Sequence, residues 1–234
     1  MPLIACELLF GAPYYYMKIP RELITLQENI AKSIILADRF DKIELVGGVD
    51  VAFGKRYAYG AFVVFSFPEL KLIERATSRV RITLPYVPGF LSFREEPAVI
   101  AAYNKLRNKP DMILFDGQGI AHPRKAGLAC AVGITLDKPT IGCAKTRLIG
   151  EYTDPKKTKG SASPLFYNDE IVGFVLRTKD DTKPIFVSPG HKISLKTAKQ
   201  IALACCTKYR IPEPLRYAHT FSKINKRGTI KLQR

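Results

Sequence analysis

Hydrophobic residues recur at helical spacing in three long stretches of the chain. These are PRELITLQENIAKSIILADRF, AVIAAYNKLRN and LKTAKQIALACCTKY, and Pro20 and Pro97, at the start of the first two, suit a first helical turn. The spacing predicts three amphipathic helices, and GLACAVGITL, rich in small residues, predicts another. The residues that share a face are Leu23, Leu26, Ile30 and Ile34 in the first stretch, Val99, Ala102, Tyr103 and Leu106 in the second, and Ala198, Ile201, Ala202 and Cys205 in the third.

Between the first two helices the pattern changes to one typical of strands. KIELVGGVDVAF and YAYGAFVVFSF are rich in β-branched and aromatic residues, and LKLIERATSRVRI alternates more loosely, which predicts three successive antiparallel strands. Beyond PYVPG, further strands are predicted at DMILFDG, TIGCAKTRL, EIVGFVLRT and PIFVS. Helices alternate with these later strands. The order predicts an α/β protein with one mixed sheet, three antiparallel strands continued by parallel strands, flanked by helices.

Length and cysteine content narrow the class of protein. A chain of 234 residues can form one α/β domain with a substantial core, or at a stretch two small ones, and we predict a single domain over residues 1–234. The five cysteines form no Cys-x-x-Cys pair and no zinc-binding spacing with histidine, so we expect buried free thiols in a reducing compartment. The N-terminal stretch is a poor signal peptide, and no apolar run approaches ~20 residues, which predicts a cytoplasmic protein with no membrane partner.

The charge balance indicates a polyanionic partner. Lysine and arginine outnumber aspartate and glutamate by 37 to 21, which gives a formal net charge of +16. Such an excess is the electrostatic signature of proteins that bind nucleic acid, although a generically basic protein or one that docks on anionic membrane is an alternative. The basic residues from Lys208 to Arg234, with Glu213 as the single acid among them, fit either a solvated face or part of a nucleic-acid groove.

Two aspartates stand where an acid is costly. Asp50 lies within the apolar strand VGGVDVAF, and Asp116 ends the apolar run MILF. A carboxylate among apolar neighbours is unfavourable unless it is paired, hydrogen-bonded or bound to a cation. For Asp116 the alternative is a turn residue that leads into Gly117.

Glu95 is a third candidate acid. Ser92-Phe-Arg-Glu95 fits a helix capping box, but a helix that starts near Pro97 would leave the Glu95 side chain free to face the two aspartates. Two carboxylates at ~4 Å repel by roughly 4 kcal/mol at an effective dielectric of 20, so a cluster of them needs a cation. Hard oxygen ligands favour Mg²⁺ or Mn²⁺, and a basic protein with such a site is suited to metal-assisted attack on a phosphodiester.

Four stretches in order, VGGVDVAF, LPYVPGFLSFREEP, DGQGIAHPRKAG and IGCAKTRLIGEY, resemble the endonuclease V family, nucleases that act on deaminated adenine in nucleic acid. The resemblance runs from about Asp50 to His219. It implies a ribonuclease H-like fold and a DNA repair activity, the Mg²⁺-assisted hydrolysis of the second phosphodiester bond 3′ to deoxyinosine, which leaves a 3′-OH and a 5′-phosphate. It also implies that Mn²⁺ can substitute for Mg²⁺.

The resemblance also assigns residues. The family's metal-binding and catalytic acids fall on Asp50, Glu95 and Asp116, and further polar residues of its reaction centre fall on His122, Lys145 and His219. PYVPG, residues 85–89, matches a strand-separating wedge with Tyr86 as the inserted ring. Position 118 is Gln where the family more often has His or Asn, so we expect altered local hydrogen bonding there. The residues implied in substrate binding are Pro85, Tyr86, Val87, Pro88, Gly89, Leu91, Gly117 and Arg124.

Within that assignment, His122 is expected to orient water or support a second metal ion, and Arg124 and Lys125 are expected to contact phosphate. We predict a monomer that acts on deoxyinosine-containing DNA, with inosine-containing RNA as an alternative substrate. Two other functions stay open at this point. One is another ribonuclease H-like nuclease that cuts RNA or structured nucleic acid, and the other is a non-catalytic nucleic-acid binder in which the acids form caps and turns.

Overall fold

The computed structural model describes residues 21–228, in which there are five helices and nine strands. Pro20 and Cys6 therefore lie outside the described residues. The helices are α1 Arg21–Ser33, α2 Leu91–Tyr103, α3 Leu128–Leu136, α4 Leu195–Ala204 and α5 Glu213–Lys226. The strands are β1 Leu45–Phe53, β2 Tyr57–Ser66, β3 Leu72–Thr77, β4 Val80–Arg81, β5 Met112–Phe115, β6 Thr140–Ala144, β7 Ala162–Tyr167, β8 Glu170–Leu176 and β9 Ile185–His191.

All the strands belong to one mixed sheet in the order β3-β2-β1-β5-β6-β9-β8-β7, with β4 paired to β2. The first three strands are antiparallel, and β1, β5 and β6 are parallel, as the sequence predicts. The parallel part ends there, because β9, β8 and β7 continue the sheet in antiparallel pairing. The predicted fold class, a mixed α/β sheet flanked by helices, is confirmed.

The helices cover both faces of the sheet. On β5, Met112 and Leu114 join a core cluster with α4 and α5, whereas Ile113 and Phe115 join one with α2 and α3. This alternation follows from the two-residue period of a strand, and it requires an apolar residue at every position of a strand that is covered on both sides. The run MILF therefore marks a central strand of the sheet. Asp116, which follows it, emerges at the carboxyl end of that strand.

Two elements are missing from the sequence prediction. Strand β7 was not predicted; its proline, Pro164, is typical of an edge strand, which is where β7 lies. Helix α5 was not predicted either, because the run of basic residues concealed its apolar spacing. Its buried residues are Pro214, Leu215, Ala218 and Ser222.

Helix α1 uses a different face from the predicted one. Ile30 and Ile34 pack against a cluster that includes Ile120 and Cys130, but Leu26 is 45% exposed and Gln27 is buried in its place. The expectation that Leu26 lies on the buried face is wrong. A polar side chain replaces it because its hydrogen-bond partners lie in loops far away in the sequence.

Three smaller expectations concern the thiols, the membrane and the domain. Cys130, Cys143, Cys205 and Cys206 are free and buried, as expected. Among residues 21–228, no helix combines the length and the apolar character that a bilayer crossing requires. The single domain over residues 1–234 stays a prediction.

Candidate active site

The adjacency of β1 and β5 brings the two aspartates together. Val49 of β1 is in register with Phe115 of β5, so that Asp50 and Asp116, the next residues, emerge side by side at the carboxyl edge of the parallel strands. Within the described part of the chain, Asp50 and Asp116 form a group with His219 in which the possible ligand atoms all lie within 4.8 Å of one another. Three residues distant in sequence thus meet at one point.

Helix α5 supplies His219 and fixes one of the aspartates. The Nδ1 atom of His219 lies 3.4 Å from Oδ2 of Asp50, and the buried hydroxyl of Ser222, one turn later, donates to the same oxygen. The helix comes this close because β1 has a glycine where they cross: a Cβ on Gly48 would overlap the Pro214 backbone. The second glycine of VGGVDVAF is thus required for α5 to reach Asp50.

The start of α2 corrects two interpretations of the sequence around Glu95. The helix begins at Leu91, with Phe90 as its N-cap and no side-chain capping hydrogen bond, so the capping box from Ser92 to Glu95 is not formed. Pro97 lies inside the helix instead of in its first turn. Proline can occupy this position at the cost of one backbone hydrogen bond, since it has no N–H to donate to the preceding turn.

Glu95 nevertheless faces the two aspartates. Burial, together with the negative charges of Asp50 and Asp116, raises the pKa of its carboxyl to about 8. Glu95 is not in the group whose ligand atoms lie within 4.8 Å of one another. The raised pKa shows that the two aspartates still repel the Glu95 carboxylate from outside that group, and Glu95 holds a proton at neutral pH when no cation balances the charges.

Basic side chains balance part of this negative charge. Lys145, which follows β6 at the same edge of the sheet, forms an ion pair with Oδ2 of Asp116. The main-chain oxygen of Lys145 accepts a hydrogen bond of 3.0 Å from Nη2 of Arg210, in the loop before α5. Burial lowers the pKa of Arg210, and the nearby charge of Asp116 acts in the opposite direction. No pattern in the sequence separates Arg210 from the other basic residues of that stretch.

His122 lies against the PYVPG loop, outside the group formed by Asp50, Asp116 and His219. Its Nδ1 accepts a hydrogen bond of 3.3 Å from the backbone N–H of Arg124, which leaves the proton on Nε2. Nε2 is 3.1 Å from the carbonyl oxygen of Gly89 and donates to it. Burial lowers the pKa of His122 to about 4, so the ring is neutral at physiological pH.

Arg124 is engaged within the protein. Its Nε donates to Oε1 of Gln27, and its guanidinium lies 4.5 Å from the centre of the Phe90 ring. The neighbouring Lys125 pairs with Glu170 on the surface, at 2.5 Å. The expectations that Arg124 and Lys125 contact phosphate, and that His122 orients water, stay predictions.

The PYVPG loop, residues 85–89, leads directly into α2. Tyr86 is 59% exposed, the most exposed of the large hydrophobic side chains in residues 21–228, and Leu91 at the start of the helix is exposed as well. Gly89 has a φ of +79°, which favours glycine, and the N–H of Phe90 closes a turn onto the Val87 carbonyl at 3.0 Å. The loop thus presents an aromatic ring to solvent directly before α2, the helix that carries Glu95.

The segment after Asp116 leaves space beside the site. A Cβ on Gly117 would meet only Leu128, at an ordinary contact distance of 3.7 Å. Gln118 donates from Nε2 to the Thr146 carbonyl at 3.1 Å, and its buried Oε1 has no hydrogen-bond partner among the residues that the structure describes. The amide of Gln118 therefore donates one local hydrogen bond, and its oxygen is left without a donor among residues 21–228.

Comparisons with known proteins agree on one family. The family model described as Endonuclease V matches residues 28–220. An endonuclease V from Dictyoglomus turgidum is 47% identical over 214 residues, which cover 92% of this chain and 94% of the relative. The crystal structure of the Streptomyces avermitilis endonuclease V has a TM-score of 0.85 and 38% identity, over 93% of this chain and 98% of that one. The Ciona intestinalis endonuclease V, solved in complex with a 24mer DNA that contains an inosine followed by a ribo-adenosine, has a TM-score of 0.77 and 30% identity, over 90% and 98%.

Proposed function

The chain belongs to the endonuclease V family of metal-dependent nucleases, and we propose that it cuts DNA at the second phosphodiester bond 3′ to a deoxyinosine, leaving a 3′-OH and a 5′-phosphate. The observation that carries this proposal is the meeting of Asp50, Asp116 and His219, whose possible ligand atoms lie within 4.8 Å of one another at the carboxyl end of the parallel strands. The Ciona intestinalis relative bound to inosine-containing DNA supports the choice of substrate.

The donor set fits a hard divalent cation. The carboxylate oxygens of Asp50 and Asp116 suit Mg²⁺ or Mn²⁺. The Nδ1 atom of His219 is buried and has no hydrogen-bond partner within residues 21–228, although it faces Asp50. Asp50, Asp116 and ionised Glu95 would hold Mg²⁺, with His219 beside them, and bound Mg²⁺ supplies a lowered pKa for the attacking water and charge stabilisation at the leaving oxygen.

Neighbouring residues fix the geometry of the acids. Ser222 orients Asp50, and Lys145 offsets the charge of Asp116, so that the repulsion between the carboxylates falls. Lys145 is 42% exposed along its side chain and is free to turn towards a phosphate that enters the site. Glu95 releases its proton when a positive charge arrives, because its raised pKa results from burial and from the two aspartates.

The PYVPG loop supports recognition of the altered base. An enzyme that inspects a base must take it out of the stack, which costs a few kcal/mol and is cheapest where pairing is weak, as it is for hypoxanthine. Prolines on both sides of Tyr86 and Val87 stiffen the loop, so less entropy is lost when the ring inserts. The space beside Gly117 supports a base pocket there. The PYVPG loop and the acid group belong to separate segments of the chain. This separation suits a cut that falls one nucleotide step, ~3.4 Å, beyond the altered base.

We further propose that the protein works as a monomer in the cytoplasm and prefers DNA to RNA. The buried free thiols support a reducing compartment. The net charge of +16 supports tight, salt-dependent binding to the phosphates of the nucleic-acid backbone, which DNA and RNA share.

End-labelled duplexes with one deoxyinosine test the proposal directly. With Mg²⁺ we expect a single cut at the second bond 3′ to the lesion, none in EDTA, and none in a duplex with adenine at that position. The same sequence as inosine-containing RNA measures the DNA preference. Equal cutting of all duplexes would favour another nuclease of this fold, and intact strands at every protein concentration would favour a non-catalytic binder.

A matched pair of variants connects the cut to the acid group. Asp116→Asn removes one charge from the site, and Asp169→Asn makes the same chemical change at the exposed turn between β7 and β8. We expect the first to abolish cutting and the second to leave it unchanged. Cutting by the Asp116 variant at the wild-type rate would contradict the proposed site.

A further inference from the structure

One main-chain oxygen at the end of the PYVPG loop is surrounded by donors. The carbonyl oxygen of Gly89 lies 2.7 Å from Nε2 of Gln27, 3.1 Å from Nε2 of His122 and 3.4 Å from Nη2 of Arg124. A carbonyl oxygen has two lone pairs, so three donors from three side chains saturate it. The point where the loop turns into α2 is therefore held from several directions.

Gln27 is the member of this group that no motif identifies. It is fully buried on α1, and both ends of its amide are used: Nε2 donates to Gly89, and Oε1 accepts from Nε of Arg124. A buried amide is favourable only when its donor and acceptor are both satisfied, and here each partner belongs to a different loop. Because α1 packs against α3, the helix is a rigid support for these contacts.

The other two donors are fixed in their turn. Arg124 stacks over Phe90, the residue directly after the loop, and its backbone N–H sets the tautomer of His122 that donates to Gly89. Helix α1, the segment around His122 and the PYVPG loop thus form a closed network of hydrogen bonds. The same loop carries the exposed ring of Tyr86 at its other end.

We infer that Gln27 is a positioning residue for lesion recognition, which holds the Gly89 carbonyl so that the PYVPG loop presents Tyr86 in the conformation that enters the duplex. This inference rests on the proposed function. His122 and Arg124 act as partners of Gln27 in holding the loop. When the hydrogen bond from Gln27 is lost, the loop samples other conformations, and the apparent affinity falls with the fraction of molecules that are competent to insert.

The ratio of activity on duplex to activity on single-stranded substrate distinguishes a positioning role from a merely structural one. A deoxyinosine in a single strand needs no insertion of Tyr86 between paired bases, whereas the same lesion in a duplex does. Gln27→Met keeps the volume and removes both hydrogen bonds, and Gln27→Glu keeps an acceptor for Arg124 but places an oxygen against the Gly89 carbonyl. Glu28→Gln, at the next and exposed position of α1, is the matched control.

Both Gln27 variants lose the buried hydrogen bond to Gly89, so each is expected to lower kcat/KM on the duplex about tenfold or more and to stay within about twofold of wild type on the single strand. The control is expected to match wild type on both. An equal fall on both substrates, or no fall on the duplex, would overturn the inference. If the wild type itself does not distinguish deoxyinosine from adenine, the proposed function has failed, and that result is visible without any variant.

A second measurement follows the loop without any cleavage. The chain contains no tryptophan, so Tyr86→Trp places a single fluorescent reporter in the PYVPG loop. In free protein, the anisotropy of that tryptophan is expected to fall when Gln27→Glu is added and to stay constant when Glu28→Gln is added. Equal anisotropy in all three proteins would overturn the inference even if Gln27→Met does not fold.

Discussion

Replacement of Glu95 by glutamine is expected to make the metal-free protein more stable and inactive at once. Burial, together with the charges of Asp50 and Asp116, raises the pKa of Glu95 from 4.5 to about 8. The folded chain then binds more protons than the unfolded chain between these values, so the free energy of unfolding falls as the pH rises from 4.5 to 8. Glutamine keeps the shape, carries no charge, and removes that dependence.

The magnitude follows from the difference between the two pKa values. At pH 7 the carboxyl is protonated in the folded chain and ionised in the unfolded chain, which costs the wild type about 3 kcal/mol at 1.36 kcal/mol per pH unit. Glu95→Gln should recover about this amount at pH 7, and almost none below pH 4.5. Stability gained in exchange for activity is the usual pattern where an active site holds like charges together.

Urea denaturation in EDTA at several pH values between 4 and 9 measures the difference. Glu28→Gln, an exposed acid on α1, serves as the control and should follow wild type at every pH. Addition of Mg²⁺ should stabilise wild type far more than Glu95→Gln, because a cation favours the ionised carboxylate. A stability difference that does not grow with pH would refute the reasoning, since burial and the two aspartates would then not raise the pKa of Glu95.

Three further substitutions test other parts of the site. Asp50→Asn is expected to lower the cleavage rate by about 100-fold or more while duplex binding in a gel-shift assay survives, and normal turnover would remove Asp50 from the site. Tyr86→Ala is expected to reduce the preference for deoxyinosine duplexes over plain duplexes about tenfold, with Mg²⁺ affinity kept and Tyr86→Phe close to wild type; unchanged lesion preference would contradict its insertion. Gly48→Ala is expected to cost about 1–3 kcal/mol in urea denaturation, because its Cβ overlaps the Pro214 backbone, and to lower kcat by displacing His219; a variant with wild-type stability and kcat would show that α5 tolerates the displacement.

The two aspartates could be recognised as candidates from the sequence because strand patterns are local. An apolar run that ends in an acid marks a buried strand and its carboxyl end, whereas the pairing of β1 with β5 that brings Asp50 beside Asp116 became visible only in the structure. The position of Glu95 was harder to predict. Ser92 and Pro97 indicate different starts for α2, and both differ from the observed start at Leu91. Helix starts depend on the chain that packs around them as well as on capping residues.

The remaining parts of the site depend on contacts between distant segments. Helix α5 was concealed by its basic residues, although Leu215, Ala218 and Ser222 recur at helical spacing and Pro214 suits the first turn. Gln27 interrupts an apolar face, and only its partners, Gly89 and Arg124, explain why it is buried. No pattern within α1 can indicate a hydrogen bond to a loop 62 residues away.

The hydrogen bond from Ser222 to Asp50 joins residues separated by 172 positions, so it can form only after α5 has been synthesised. A ribosome that adds ~5–20 residues per second needs about 10–30 s to travel from one partner to the other. Until α5 has been made and has docked beside Gly48, a nascent chain has the strand with Asp50 but neither Ser222 nor His219. In such a chain, Asp50 therefore lacks both of its contacts with α5 until synthesis has passed Ser222.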